Sequence, residues 1–306
     1  MGFAKSIVGK KLLSCSMIVP KRHQPECCHL YILVDALCND GRIIEAQGVF
    51  AMIIKFDQKP TVVSHNGLMD GYCMVNNLKE ATAVFNTMIK SGMRPDVFSY
   101  NVLINGYCKN KRLDEAINLF KKMRLRNLVP DSVSYTCLID GLCKGGRISF
   151  VSDLLDEMHQ SGHPPDIITF NVLLHALCKR RDLDRAIALF EHSFREKIRP
   201  TDWTYTILID GLCRGGRLNE AREIFQYLLM EGQHLNVVSY NVMIKGLCKE
   251  GLFDEAETLL DEMEDSDCIP NIITFITIIG HLLDKNENDE AEKLLRIMVS
   301  KGLPEN

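Results

Sequence analysis

A nine-residue phrase of the form Y-N-x-L-I-x-G-x-C returns along the 306-residue chain in a 35-residue register. Cys38, Cys73, Cys108, Cys143, Cys178, Cys213 and Cys248 stand 35 apart. Pro25, Pro60, Pro95, Pro130, Pro165 and Pro200 keep the same interval, with Pro270 in frame two intervals later. A fixed period of this length marks a stacked array, in which each small unit buries its apolar face against its neighbours. Length alone would suggest two globular domains. The period replaces them with one row of local contacts, and function must lie in the positions that vary between copies.

Aligned on Pro and Cys, the units run 27–61, 62–96, 97–131, 132–166, 167–201, 202–236, 237–271 and 272–306, with no insertion needed until the last few residues. In the third unit Val102, Leu103, Ile104, Tyr107 and Cys108 form the apolar stripe of a first helix. After a polar break at Lys109 to Arg112, Leu113, Ala116, Leu119, Phe120 and Met123 recur at the three and four spacing of a second helix. The expected fold is all-α: an α-solenoid superhelix of helix-turn-helix hairpins. Gly41, Gly146, Gly216 and Gly251 fall in the break, where positive φ ends a helix, and Asn76 and Asn286 fill the same place. Ala46, Ala81, Ala116, Ala186, Ala221, Ala256 and Ala291, with Val151 as the exception, suit a close helix contact. The proline near each unit's end is expected to stop the second helix, and Leu235 replaces it once.

The chain is 46% hydrophobic and 25% charged with 10 prolines, enough apolar material for a packed core and too much for a disordered chain. Seven of its 12 cysteines occupy one place in an apolar helix, as structural thiols do. The others are Cys15, Cys27, Cys28, Cys137 and Cys268. No C-x-x-C occurs, and the His175 and Cys178 pair on one helix face does not make a tetrahedral set, so neither metal nor cofactor is expected. No apolar run is long enough to cross a bilayer. Residues 1–26 carry Lys5, Lys10, Lys11, Lys21 and Arg22 with no acid before Glu26. They read either as a targeting leader or as a degenerate repeat remnant.

The fragments VFSYNVLINGYCKNKRLDEAINLFKKMRLRNLVPD and VVSYNVMIKGLCKEGLFDEAETLLDEMEDSDCIPN closely resemble pentatricopeptide repeats of the plain 35-residue kind. They are most similar to arrays of plant organellar RNA-binding proteins, fertility-restorer-like ones included. The resemblance covers residues 27–306, with Tyr-Asn, Gly-x-Cys, Ala, Phe, Met and Pro-Asp agreeing together. A tetratricopeptide array would show a 34-residue period.

The resemblance implies recognition of single-stranded RNA, one base per repeat. In that family the selective residues follow the first helix's Tyr or Phe and close the unit. Here they are Asn66 with Asp96, Asn101 with Asp131, Thr136 with Asp166, Asn171 with Thr201, Thr206 with Asn236, and Asn241 with Asn271. By the family's correspondence they read 5′-U-U-G-Y-A-C-3′. The first unit has Tyr31 and Thr61 in these places, and the last has Ile276 and ends at Asn306; both resemble caps. The resemblance further implies an organellar protein, mitochondrial or alternatively chloroplast, acting in transcript processing, stabilisation or translation control. Monomeric action with RNA-processing protein partners is expected.

Three residues before each selective side chain stand Val63, Phe98, Val133, Ile168, Trp203, Val238 and Ile273. In similar proteins this place packs on base faces; the alternative is that these seven belong to the core between repeats. The net charge is −4, yet Lys109, Lys144, Lys179, Arg214 and Lys249 each follow the recurring Cys. Such a row could track phosphates, and it also suits helix C-termini. Acids gather in the second helices, nine of them between Glu250 and Asp267. No His begins an H-x-E, so the deaminase chemistry carried by some members of this family is not expected, nor is any other catalysis. The competing function is a protein-binding α-solenoid scaffold.

Overall fold

The computed structural model describes residues 27–55, 60–196, 198–230, 235–266 and 268–303. Residues 1–26, whether leader or remnant, lie outside them, as do Pro304, Asn306 and the side chains of Cys27, Cys28 and Tyr31. Among the described residues there are sixteen α-helices and no strand, in two compact units that divide between Pro164 and Pro165. The first unit holds α1 (Cys27–Asn39), α2 (Ile43–Lys55), α3 (Val62–Met74), α4 (Leu78–Lys90), α5 (Val97–Lys109), α6 (Leu113–Leu125), α7 (Ser132–Lys144) and α8 (Ser149–Gln160). The second holds α9 (Ile167–Lys179), α10 (Leu183–Arg195), α11 (Asp202–Arg214), α12 (Leu218–Met230), α13 (Val237–Lys249), α14 (Phe253–Asp265), α15 (Ile272–Asp284) and α16 (Asn288–Ser300). Each unit is therefore a stack of four hairpins.

Each repeat after the first opens on an N-cap supplied by the last residue of the repeat before it: Thr61, Asp96, Asp131, Asp166, Thr201, Asn236 and Asn271. These side chains satisfy amides that have no partner inside a helix, a contribution of about 1 kcal/mol each. A buried hydroxyl three residues on, Ser99 or Ser134 for example, returns a bond from the cap's own amide. The first helix ends at one place in all eight repeats, in a residue of positive φ. Gly and Asn take it as the composition of the break implies, but Lys111 and Arg181 also hold φ of 60°. The turn is the reason. The amide of Lys111 bonds Cys108 O at 3.0 Å and that of Arg112 bonds Tyr107 O at 3.0 Å, the paired closure that needs a left-handed residue.

The second helix stops differently from the sequence expectation. α4 ends at Lys90, well before Pro95, because Gly92 turns left-handed at φ 81° and bonds Ile89 O. The proline instead fixes the extended approach to the next N-cap. Where Leu235 replaces it, the leucine is buried in the core of the second unit.

Within each unit the first helices of successive repeats pack directly on one another, and in every such contact but the last, where His281 stands in place of Gly, Gly-x-Cys is the reason. A Cβ at Gly71 would lie 2.5 Å from Cys38 Sγ, and Gly106, Gly141, Gly211 and Gly246 meet the preceding repeat's cysteine in the same way. Ala46, Ala81, Ala116, Ala186, Ala221 and Ala256 are wholly buried on the second helices. Phe85, Phe120 and Phe225 reach forward to stack edge-on against Tyr100, Tyr135 and Tyr240, with ring centroids 5.2, 5.3 and 5.2 Å apart. Burial pushes the thiols of Cys73, Cys108, Cys213 and Cys248 up to about 12, so they stay protonated packing groups, poor ligands and poor nucleophiles.

Candidate nucleic-acid interface

One line of side chains runs down each first helix at spacings of three, four and four, which places it on a single face. In α5 the line is Phe98, Asn101, Asn105 and Lys109. The first member is exposed in every repeat from the second to the last: Val63 is 73% exposed, Phe98 60%, Val133 56%, Ile168 62%, Trp203 57%, Val238 50% and Ile273 59%. These seven are therefore not core between repeats. Apolar side chains left open at one register are unusual on a soluble surface and mark a place where something packs.

The second member of the line lies deeper. Asn66, Asn101 and Thr206 are buried, while Thr136, Asn171 and Asn241 are half-buried. The Asn amides reach the following N-cap: Asn66 Nδ2 donates to Asp96 Oδ1 at 3.4 Å, Asn101 Nδ2 to Asp131 Oδ1 at 3.2 Å, and Asn241 Nδ2 to Asn271 Oδ1 at 3.4 Å. Residues 30 apart in sequence thus meet, because the close of one hairpin is the start of the next first helix. For Asp131 burial raises the pKa, but the Ser134 amide and hydroxyl and the Asn101 amide outweigh it, and the carboxylate is held below its ordinary value. Thr201 caps α11 through Thr204, whose hydroxyl lies 3.1 Å from its own. Ile276, in the selective place of the last repeat, is an exposed apolar side chain and offers no hydrogen bond.

The cap bonds share one geometry. At Asp131 the Ser134 amide, the Ser134 hydroxyl and the Asn101 amide all converge on Oδ1. At Asn236 the amides of Val238 and Ser239 and the Ser239 hydroxyl converge on Oδ1, and Asn271 is bound in the same way. The atom left over is a carboxylate oxygen for Asp and an amide nitrogen for Asn. One is an acceptor and the other a donor.

The cationic row is exposed, and part of it is paired. Lys144 Nζ lies 2.7 Å from Asp140 Oδ2 and Arg214 Nε 2.9 Å from Asp210 Oδ1, each acid one turn earlier on the same helix. Lys109 acts across the repeat boundary on Asp70, whose pKa burial raises and this lysine lowers. Lys249 Nζ reaches Arg214 O at 3.5 Å, and Lys179 is exposed at the end of α9. The acids Asp70, Asp140 and Asp210 stand 70 apart in frame, a regularity visible in the sequence itself. Among the described residues no group of three His, Cys, Asp or Glu side chains could hold a metal ion.

A family model described as the PPR repeat family matches residues 60–108, 95–144, 132–179, 165–214, 209–249 and 235–280, and one described as PPR repeat matches residues 31–57. Among solved structures, the pentatricopeptide repeat protein PPR10 from maize superposes with a TM-score of 0.69 at 24% identity, over 97% of this chain and 43% of that one. PPR10 in complex with an 18-nt psaJ RNA element gives a TM-score of 0.60 at 18% identity, over 98% of this chain and 48% of that one. The chain thus spans less than half the length of the solved protein it matches, and at these identities the likeness establishes an α-solenoid fold. No curated protein matches the chain.

Proposed function

The chain belongs to the PPR repeat family, and from that premise we propose that it binds single-stranded RNA by sequence, one base per repeat, without chemistry of its own. The observation that carries this reading is the atom each N-cap leaves over after capping. A carboxylate oxygen at Asp96, Asp131 and Asp166 accepts from the ring N–H of uracil or guanine. An amide nitrogen at Asn236 and Asn271 donates to the bare ring nitrogen of adenine or cytosine. The hydroxyl of Thr201 can do either, which suits a repeat that takes both pyrimidines. The partner on the first helix sorts by size: the longer Asn side chain goes with a pyrimidine, and the shorter Thr leaves room for a purine. Thr136 and Asp166 occupy the same two places of the repeat frame. The array then reads 5′-U-U-G-Y-A-C-3′, each base stacked on the exposed apolar side chains beside its repeat.

A site of this composition occurs about once in two thousand nucleotides, so uniqueness depends on a small transcript pool or a protein partner. Both fit an organelle, mitochondrial or chloroplast, in which an occupied RNA is shielded from nucleases or delivered to a processing factor. Affinity for U-U-G-C-A-C in an unstructured RNA, set against a scrambled RNA, tests the proposal. Tight binding to the first alone is expected, whereas equal weak binding to both would turn the assignment to a protein-binding scaffold. Replacing Asn101→Thr and Asp131→Asn together installs the pair found at 206 and 236. It should move the second preference from U to A.

A further inference from the structure

Every repeat boundary from the second repeat onward buries a hydroxyl at the third place of the first helix: Ser64, Ser99, Ser134, Thr169, Thr204, Ser239 and Thr274 are all within 2% of full burial. A cap needs only one bond from such a residue, and several of these hydroxyls do something more. Ser134 Oγ donates to Asn101 Oδ1 at 2.7 Å, 33 residues back, and Thr274 Oγ1 donates to Asn241 Oδ1 at 2.7 Å. Ser239 Oγ lies 2.7 Å from Thr206 Oγ1. At the two comparable boundaries the hydroxyl meets its own cap, as those of Ser134 and Thr274 also do, but not the reading side chain 33 residues back. Ser99 Oγ donates to Asp96 Oδ1 at 2.7 Å, and Thr204 meets Thr201. There the carboxamide oxygens of Asn66 and Asn171 are buried with no hydrogen-bond partner.

Resting on the proposed function, we infer that the third-place hydroxyl of each following repeat is a positioning residue that sets which end of the reading side chain meets the base. Asp131 can only accept, so the Asn101 atom against it is the nitrogen, and the oxygen must face Ser134. With both ends held, the second N–H of Asn101 is the group left to present. A uracil carbonyl oxygen is the acceptor it meets. The same logic fixes Asn241, since Asn271 Oδ1 is already identified as oxygen by the two backbone amides it accepts. Asn66 and Asn171 lack the second hold: the nitrogen of Asn66 still faces Asp96, but the oxygens of both side chains are buried with nothing to fix them. The repeats of one frame thus divide into set readers, at 101, 206 and 241, and unset readers, at 66 and 171, a division the pairs of selective residues do not express.

Removing the hydroxyl where it holds a reader and where it does not provides the test. Ser134→Ala, Ser134→Thr, Ser99→Ala and Asn101→Ala are compared by competition binding to U-U-G-C-A-C RNA carrying each of the four bases at the first, second and sixth places. Ser134→Ala should reduce the preference for U at the second place about fivefold, the worth of one hydrogen bond, and leave the sixth place unchanged. Ser134→Thr keeps the hydroxyl, as Thr274 does, and should keep the preference. Ser99→Ala should alter the first place less than twofold. A loss equal at all three places is a capping defect and overturns the inference, as does full preference in Ser134→Ala where Asn101→Ala has lost it. A wild-type chain with no preference at any place overturns the proposed function and this inference with it.

Discussion

The first helices and the second helices of the repeats are joined to their neighbours by different forces. Within each unit every first helix touches the one before it along its length. Gly71, Gly106 and Gly141 let the backbone down onto Cys38, Cys73 and Cys108. Among the described residues, second helices meet the next repeat chiefly through its first helix, and beyond that through ion pairs, among them the exposed acids Asp114 with Arg147 at 2.5 Å and Asp184 with Arg217 at 2.7 Å. The tight layer carries the line Val63, Asn66 and Asp70 and its copies, on which the proposed reading depends. Close packing there keeps these side chains in register from one repeat to the next within each unit, and the second layer is left free to change composition.

The largest expected effect therefore comes from thickening the tight layer. In Gly141→Ala the new methyl overlaps both Sγ and Cβ of Cys108. Two first helices must part, at a cost of about 3 kcal/mol, the upper range for overpacking. Urea unfolding would show it as a lower midpoint, and Cys108→Ala in the same chain should return part of the loss by removing the sulfur. If Gly141→Ala unfolds at the wild-type midpoint, the layers do not differ in the way described.

Much of the tight layer is legible in the sequence, because close packing leaves few substitutes: one frame of Cys, Gly and Ala forecasts sixteen helices and their order. The termini are less legible. Lys111 and Arg181 take a left-handed conformation that neither residue type advertises, since the turn is imposed by the hairpin rather than chosen locally. Asp96 and Asp131 stand out in the sequence as candidate selective residues, but their capping bonds do not, because the amide, the hydroxyl and the previous repeat's Asn converge only once the hairpins stack. Ser134 was invisible for the same reason: it resembles any capping Ser until Asn101 is brought beside it.

The turn between the layers offers a smaller effect of opposite sign. Lys111→Gly relieves the left-handed strain at φ 60° with no loss of packing, and should raise stability by about 1 kcal/mol. Gly146→Ala, at the same place one repeat later, should lower it by a similar amount. The pair of thermal melts measures the turn apart from the layers it connects. Equal melts for Lys111→Gly and wild type would mean that the lysine side chain offsets its strain elsewhere.

Within the tight layer one boundary carries a titratable group. His65 stands where other repeats have Tyr100 or Tyr135, buried edge-on against Phe50 at 4.9 Å. Burial lowers its pKa below 6.5 despite the bond to Thr61 O. The unfolded chain then binds a proton before the folded one does. Stability from this group is full above about pH 6.5 and falls as pH drops toward the folded value. His65→Tyr should flatten the difference in melting temperature between about pH 7.5 and about pH 5.5. An unchanged difference would place the pH response in other groups.

The smallest effect belongs to the outer ion pairs. The side chains of Asp114 and Asp184 are 79% and 93% exposed, so their attraction to Arg147 and Arg217 acts through water and is screened by salt within about 10 Å at 0.1 M. Asp114→Ala together with Asp184→Ala should leave the urea midpoint where it was, at low salt and at high, and should leave RNA preference unchanged. A midpoint that fell in low salt and recovered in high salt would show the two acids holding the second layer over distance. Order would then be imposed on the reading line from outside as well as from within, and the contrast between the layers would be one of degree.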